Sequence, residues 1–325
     1  MSNIQTELHR HLDVSMRVSS LLKLAQERGL ESQSTSVDSF REKLILTQPL
    51  SDLGSVLGKF TLFQKVLDRP DVLSQAAFEV VEDCYLEGTR QAELRFSPSF
   101  VCQLSGLAWD DALDGFEEGI QRGLKKYPDM KAGMICIASR DLGYDSVHET
   151  VEYFLRHQDR FIGLDLAGDE NGHPARDYEK AFKLAHARNA NITVHAGEAL
   201  GPDSIWEAVE ILGAHRIGHG ITCVQDPELM RYLAEKQICL EMCPTSNWLI
   251  KAVPSLAHHP LPEVLRAGIP VCINTDDPGI FGVDMPGEIE ICRRVMGLTE
   301  EEILQCHAHA NAASFLGSTI PANID

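Results

Sequence analysis

Short apolar runs alternate along this chain with longer stretches in which apolar positions recur every three or four residues. The first pattern reads as buried strand and the second as amphipathic helix. Eight runs qualify as strands: Ile4–Leu8, Ala92–Phe96, Ala132–Ile137, Ile162–Leu166, Ile192–Val194, Arg216–Gly218, Ile238–Glu241 and Val271–Asn274. Most successive runs lie about 20–40 residues apart, room for one helix and two loops. Strand and helix in alternation give βα units and a parallel sheet. Eight strands is the number that a (β/α)8 barrel of the TIM type requires. One interval breaks the rhythm. Between Ser15 and Gln91 the chain carries several helical stripes, among them Leu21, Leu22, Leu24, Ala25 and later Val56, Leu57, Phe60, Phe63, Val66, Leu67. This insertion, about 15–91, reads as a helical cap over the barrel mouth, with extra peripheral packing as the plainer alternative. No linker, repeat or low-complexity segment divides the sequence, so residues 1–325 read as one barrel domain.

Composition narrows function more than fold. Lys and Arg total 29 against 48 Asp and Glu, a formal net charge of −19. A surface this acidic argues against nucleic acid or anionic membrane as partner, and it mildly disfavours a polyanionic substrate. The nine cysteines are scattered without a pair of CxxC motifs; Cys239 and Cys243 sit in an apolar run that reads as core. That usage suits a reducing compartment. The first residues lack a basic and apolar leader, and no run of about 18 apolar residues occurs. The expectation is a cytoplasmic protein, with nothing in the sequence fixing an oligomeric state.

The chemically capable residues follow the predicted strands. Glu7–Asp13 follows the first, Asp165–Glu170 ends the fourth, Thr193–Glu198 the fifth, Arg216–Gly220 the sixth and Asn274–Pro278 the eighth. In a parallel barrel these ends share one face, where active sites are built. His9 and His11 are two apart, so on a strand both imidazoles reach one ion. His307 and His309 share that spacing but follow a capping-box signature, Thr299 with Glu302. On a helix they diverge by about 200° and do not chelate together. His195 and Asp276 are candidates to complete a metal shell; alone, the first would be a hydrogen-bonded core histidine and the second a helix N-cap. Zinc or another divalent ion suits three His nitrogens and one carboxylate, with water in an open position. Glu198 reads as a proton donor with a raised pKa, or as an ordinary helix N-terminal acid. His219, between two glycines, reads as a group that accepts a proton or holds a hydroxide, or as a turn histidine. Asp277 would orient the attacking water, or cap a helix. Gly168 lets a substrate approach the backbone, or makes a turn.

The set HRHLD, DLAGDE, TVHAGE, RIGHG, CPTSN and NTDDP, from Glu7 to Phe315, resembles the adenosine deaminase family of metal-dependent amidohydrolases. It is unlike the zinc deaminases that carry H-x-E and P-C-x-x-C. The resemblance implies a (β/α)8 barrel and one zinc ion held by His9, His11, His195 and Asp276, with other divalent metals as substitutes. It implies that Glu198 protonates purine N1, that His219 and Asp277 orient and help deprotonate the attacking water, that Asp277 also meets N7, and that Gly168 N–H meets N3. His11 and Asp13 would face the substrate, Asp13 at the ribose 5′-hydroxyl. Val56, Leu57 and Phe60 match the family's apolar cover over the ribose, with helix core as the equal alternative. The implied substrates are adenosine and 2′-deoxyadenosine plus water. One departure stands out: Val14 occupies the position after Asp13 where the family usually has Gly. A β-branched residue there restricts the backbone and keeps adenine or a 5′-modified adenosine such as aminofutalosine open as alternatives. A binding protein without activity on the same scaffold is the alternative from another class.

Overall fold

The computed structural model describes residues 5–50 and 53–317, with side chains 51–57 left aside. Its eight strands are β1 (Gln5–His11), β2 (Thr89–Phe96), β3 (Lys131–Ser139), β4 (Phe161–Ala167), β5 (Ile192–Ala196), β6 (Arg216–His219), β7 (Cys239–Met242) and β8 (Val271–Ile273). They form one parallel sheet in sequence order. The seam between β8 and β1 is tied by Arg10 opposite Asp276, with Asp276 N donating to His9 O and His11 N donating to Asp276 O, both 2.9 Å. The architecture is the expected (β/α)8 barrel.

All eight predicted strands are present, and most are longer. β1 runs on through His11, so His9 and His11 lie within the strand, not after it. Its interior carries buried Thr6, Glu7, His9 and Arg10, which an apolar-run criterion overlooks. β7 begins one residue later than expected and β8 ends one residue sooner.

The long interval folds as α1 (Val18–Glu27), α2 (Val37–Leu44), α3 (Leu53–Val66) and α4 (Pro70–Leu86). The last is a barrel helix: it lies along β2 and along α6, which follows α5 (Pro98–Ser105) and spans Trp109–Lys126. Close packing of α4 on α6 depends on Gly119, where an added Cβ would stand 2.1 Å from Ser74 O. Of the four helices in this interval, α1–α3 are additional to the repeating βα pattern. They pack on one another, on α5 and on the turn Leu12–Val14, all at the C-terminal ends of the strands. Farther along, α7 (Gly143–Arg156), α8 (Glu179–His186), α9 (Pro202–Trp206), α10 (Pro227–Lys236), α11 (Pro244–Leu249) and α12 (Leu261–Arg266) precede β8. Then come α13 (Pro278–Phe281), α14 (Met285–Arg294) and α15 (Glu300–Ala313), the last opened by the expected Thr299–Glu302 capping box. No helix among the described residues is long and apolar enough to cross a membrane, and the nine cysteines are all buried and unpaired.

Candidate active site

Four side chains converge at the C-terminal mouth. His9 and His11 come from alternate positions of β1, His195 from β5 and Asp276 from just beyond β8. Their ligand atoms all lie within 4.8 Å of one another. His9 Nε2 is 3.3 Å and His11 Nε2 is 3.4 Å from Asp276 Oδ1, and His11 Nε2 is 3.3 Å from His195 Nε2. His9 Nε2 is fully buried and makes no hydrogen bond. Three imidazole nitrogens and one carboxylate oxygen gathered this closely fit a divalent cation. His307 and His309 stay on α15, away from this cluster; His309 Nδ1 meets Val271 N at 3.1 Å.

The electrostatics point the same way. Burial holds His11 and His195 below the ordinary imidazole value, leaving them neutral. Burial and Arg95 push His9 down, yet Asp276 and Glu241 outweigh them and hold it above that value, the mark of a place where positive charge is stabilised. Against the upward push of burial, His9 and His219 hold Asp276 well below the usual carboxylate range. Asp276 and His219 both adopt left-handed backbone, each with φ 61°. Such strain costs about 1–3 kcal/mol per residue and persists where surrounding structure demands it.

Beneath the cluster lies a layer of paired charge that sequence reasoning did not anticipate. His9 Nδ1 meets Glu241 Oε2 at 2.9 Å, and His195 Nδ1 meets Asp165 Oδ2 at 3.0 Å. Arg95 joins the two carboxylates, with Nη1 2.7 Å from Asp165 and Nη2 2.7 Å from Glu241. Arg216 bridges Glu241 and Glu93 at 2.6 and 2.7 Å. Carboxylates behind metal-ligating imidazoles fix their orientation and raise their basicity. Ser246 Oγ holds Asp276 Oδ2 from the side at 2.6 Å. The sequence signal for this layer was present: charged residues within buried strands, in TRQAELRF, RIGH and CLEM, have no place in an apolar core unless they pair.

The acid and base candidates ring the same point. Glu198 sits in the loop after β5, its side chain 21% exposed, with Oε1 3.4 Å from His219 Nε2. Glu170 Oε2 accepts from Ala199 N and Leu200 N at 3.2 and 2.7 Å and so pins that loop. Burial, then Asp276 and Glu170, raise the Glu198 carboxyl well above its ordinary value. Asp277 stands at the N-cap of α13 without capping it, and its Oδ1 is buried without a partner. Burial, Asp276 and Asp13 raise it as well. Burial holds His219 well below the ordinary imidazole value.

On the outer side of the mouth, Asp13 lies in the turn after β1, its Oδ1 4.0 Å from His11 Nδ1. Its Oδ2 accepts Ser97 N–H at 3.1 Å, and burial lifts its pKa to about 7. Val14, 1% exposed, belongs to the main hydrophobic core. Gly168 has φ +100°, and an added Cβ would stand 2.0 Å from Asp141 Oδ1, so only glycine fits. Phe60 on α3 is half-buried, edge-on to Phe100 with ring centres 6.4 Å apart. The side chains of Val56 and Leu57 lie outside the described residues.

The family model described as adenosine deaminase matches residues 5–324. An adenosine deaminase of Klebsiella pneumoniae is 39% identical over 312 residues, covering 96% of this chain and 93% of the relative. Among solved structures, an adenine deaminase from Arthrobacter aurescens aligns with a TM-score of 0.87 at 28% identity, over 96% of this chain and 93% of that one. An amidohydrolase from Burkholderia ambifaria with bound Zn aligns with a TM-score of 0.85 at 26% identity, over 96% and 85%. Barrel, histidine cluster and end-to-end sequence similarity agree: the chain belongs to the adenosine deaminase family.

Proposed function

We propose that this chain hydrolyses the 6-amino group of adenosine and 2′-deoxyadenosine, giving the inosines and ammonia. His9, His11, His195 and Asp276 would hold one zinc ion, in keeping with the bound Zn of the Burkholderia relative. When bound, such an ion supplies the Lewis acidity that turns water into a nucleophile near neutral pH. The chain's own residues do the rest. Glu198, kept protonated, donates to purine N1 and makes C6 electrophilic. His219 holds the attacking water on its line. Asp277, also protonated, offers a hydrogen to N7, and Gly168 N–H meets N3. Asp13 receives the ribose 5′-hydroxyl, while α1–α3, with Val56, Leu57 and Phe60, form the cap on the one-domain barrel.

The observation that carries this reading is the placing of Glu198, whose Oε1 lies 3.4 Å from His219 Nε2 beside the candidate cation site, where burial, Asp276 and Glu170 favour its protonated form. A protein that only bound a nucleoside would have no use for a proton donor there. Asp13 favours a nucleoside over a free base or nucleotide. It takes a backbone N–H from Ser97 rather than a cation, so a hydroxyl suits it and a phosphate does not.

The test is turnover by zinc-loaded protein across adenosine, 2′-deoxyadenosine, adenine and AMP, followed by loss of the adenosine absorbance and release of ammonia. The two nucleosides should turn over fastest, and Asp13→Ala should raise KM for adenosine by about 10-fold or more, the worth of one hydrogen bond to a charged group. Preference for adenine or AMP, or an indifferent Asp13→Ala, refutes the 5′-hydroxyl assignment; no turnover of any of them refutes the activity.

A further inference from the structure

The imidazoles at the mouth differ in what stands behind them. A carboxylate only accepts hydrogen bonds, so Glu241 and Asp165 fix the ring protons of His9 and His195 on Nδ1. Their Nε2 lone pairs then face the cluster, as ligands require. Behind His219 Nδ1 stands the amide of Asn247, its Nδ2 at 3.1 Å. Which end of that amide faces His219 is set from farther out. The backbone N–H of Leu261, which can only donate, lies 3.2 Å from His259 Nδ1. His259 therefore carries its own proton on Nε2, 3.1 Å from Asn247 Oδ1. With its oxygen thus engaged, Asn247 presents its NH2 to His219 Nδ1 and, at 3.4 Å, to Glu198 Oε1. All three links are closed to solvent: Asn247 is 0% exposed, His219 1% and His259 4%.

We propose that His259 and Asn247 form a relay that fixes the tautomer of His219, making it a hydrogen-bond donor at Nε2 and neither a metal ligand nor the acceptor of the water's proton. The inference deepens the reading of His219 given under Proposed function and rests on it. Three consequences follow. His219 Nε2–H grips the attacking oxygen by donating to it. The proton released by that water passes to Glu198 once Glu198 has given its own to N1, and the C6 hydroxyl then yields its hydrogen to the amine that leaves as ammonia. Glu198 Oε1, which accepts from Asn247 Nδ2, leaves Oε2 as the oxygen that carries the proton meant for N1. Asn247 and His259 are positioning residues: neither touches the reacting atoms, and partners of this kind are worth about 10–100-fold in activity.

The test uses zinc-loaded protein labelled with ¹⁵N-histidine, in which two-bond proton–nitrogen correlations distinguish the tautomers. The His219 signals are assigned by their loss in His219→Gln. In the unaltered enzyme His219 should carry hydrogen on Nε2. His259→Leu should mix the two tautomers and lower kcat about 10-fold or more, with KM within about twofold because substrate contacts are untouched. His259→Gln, whose amide N–H reaches Asn247 Oδ1, should restore the single tautomer and most of kcat. If His259→Leu loses its metal, Asn247→Asp asks the same question, since a carboxylate there accepts from Nδ1 and reverses the tautomer. Hydrogen on Nδ1 in the unaltered enzyme overturns the proposal. So does an indifferent His259→Leu, a glutamine no better than leucine, or an unchanged tautomer in Asn247→Asp. Absence of nucleoside turnover would strike the functional reading alone, because the tautomer is measured without substrate.

Discussion

Two layers of the barrel interior treat buried charge in opposite ways. In the lower layer, Arg95 and Arg216 sit among Glu93, Glu241 and Asp165 at 2.6–2.7 Å, and each carboxylate meets a guanidinium. Against the upward push of burial, Arg95 and Arg216 hold Glu241 well below the ordinary carboxylate value. In the upper layer, Asp276, Asp277, Glu198 and Asp13 gather with no guanidinium hydrogen-bonded to them among the described residues, and His9 Nε2 and Asp277 Oδ1 lack partners. The lower layer, apart from Arg95 Nε, is complete in itself and holds the upper one still. The upper layer is left wanting a cation and hydrogen-bonding groups, which is what a metal and a purine nucleoside bring. In these two layers, buried charge is structural where it is paired and chemical where it is not.

The contrast can be broken from either side. The largest effect belongs to the upper layer: Glu198→Gln should lower kcat by about 10²–10⁴-fold, the usual worth of a positioned proton donor. Metal content and Tm should hold or rise, because the substitution relieves a buried acid. A variant that loses its metal would show that Glu198 belongs to the shell and not beside it. Next comes the lower layer: Arg95→Met leaves Asp165 and Glu241 short of their shared cation and should cost about 3–5 kcal/mol in urea unfolding. Chelator competition should then show zinc held about 10–100-fold less tightly, as His9 and His195 lose their fixed backing. Full stability in Arg95→Met would mean that the paired layer does not support the mouth. The smallest effect sharpens the comparison at a carboxyl in neither layer. Glu288 on α14 accepts Thr245 N–H at 3.0 Å, its Oε1 has no partner, and burial raises its pKa to about 7. A carboxyl raised from 4.5 to about 7 favours the folded state at low pH and loses that advantage as pH rises through this window. Glu288→Gln should therefore match the parent Tm near pH 4.5 and exceed it by about 2–4 °C at pH 8, read by thermal scans at both pH values. Equal gains at both would show that the acid is not titrating there.

How much the sequence disclosed follows the same division. Buried apolar strands such as Ile192–Ala196 stand out because only Thr193 interrupts their pattern before His195. β1 and β2 are less plain, since Thr6, Glu7, Arg10, Glu93 and Arg95 are buried and polar, and their burial makes sense only with partners about 70–305 residues away. His9, His11, His195 and Asp276 were legible because a parallel barrel sends every strand end to one face, so topology alone brings them together. Asn247 and His259 were not. The first lay unassigned within CPTSN and the second within a loop, and a hydrogen bond between two side chains twelve residues apart leaves no periodic trace. Val14, from its β-branch alone, keeps other substrates open, and its packing places its bulk in the core. A single sequence says that a side chain is large; only packing says which way its volume is spent.

The seam at Asp276 has a bearing on how the protein is made. The residue that completes the cluster also ties β8 to β1, through hydrogen bonds to His9 O and from His11 N. β1 and the residue after β8 must meet before the four candidate ligands stand together, a separation of more than 260 positions. Loop closure over so long a span comes late in folding. A chain still leaving the ribosome carries two histidines on a bare strand and no completed cage. Metal capture and competence for reaction thus arrive together, with the last strand, and an unfinished chain has little means to trap metal at this site.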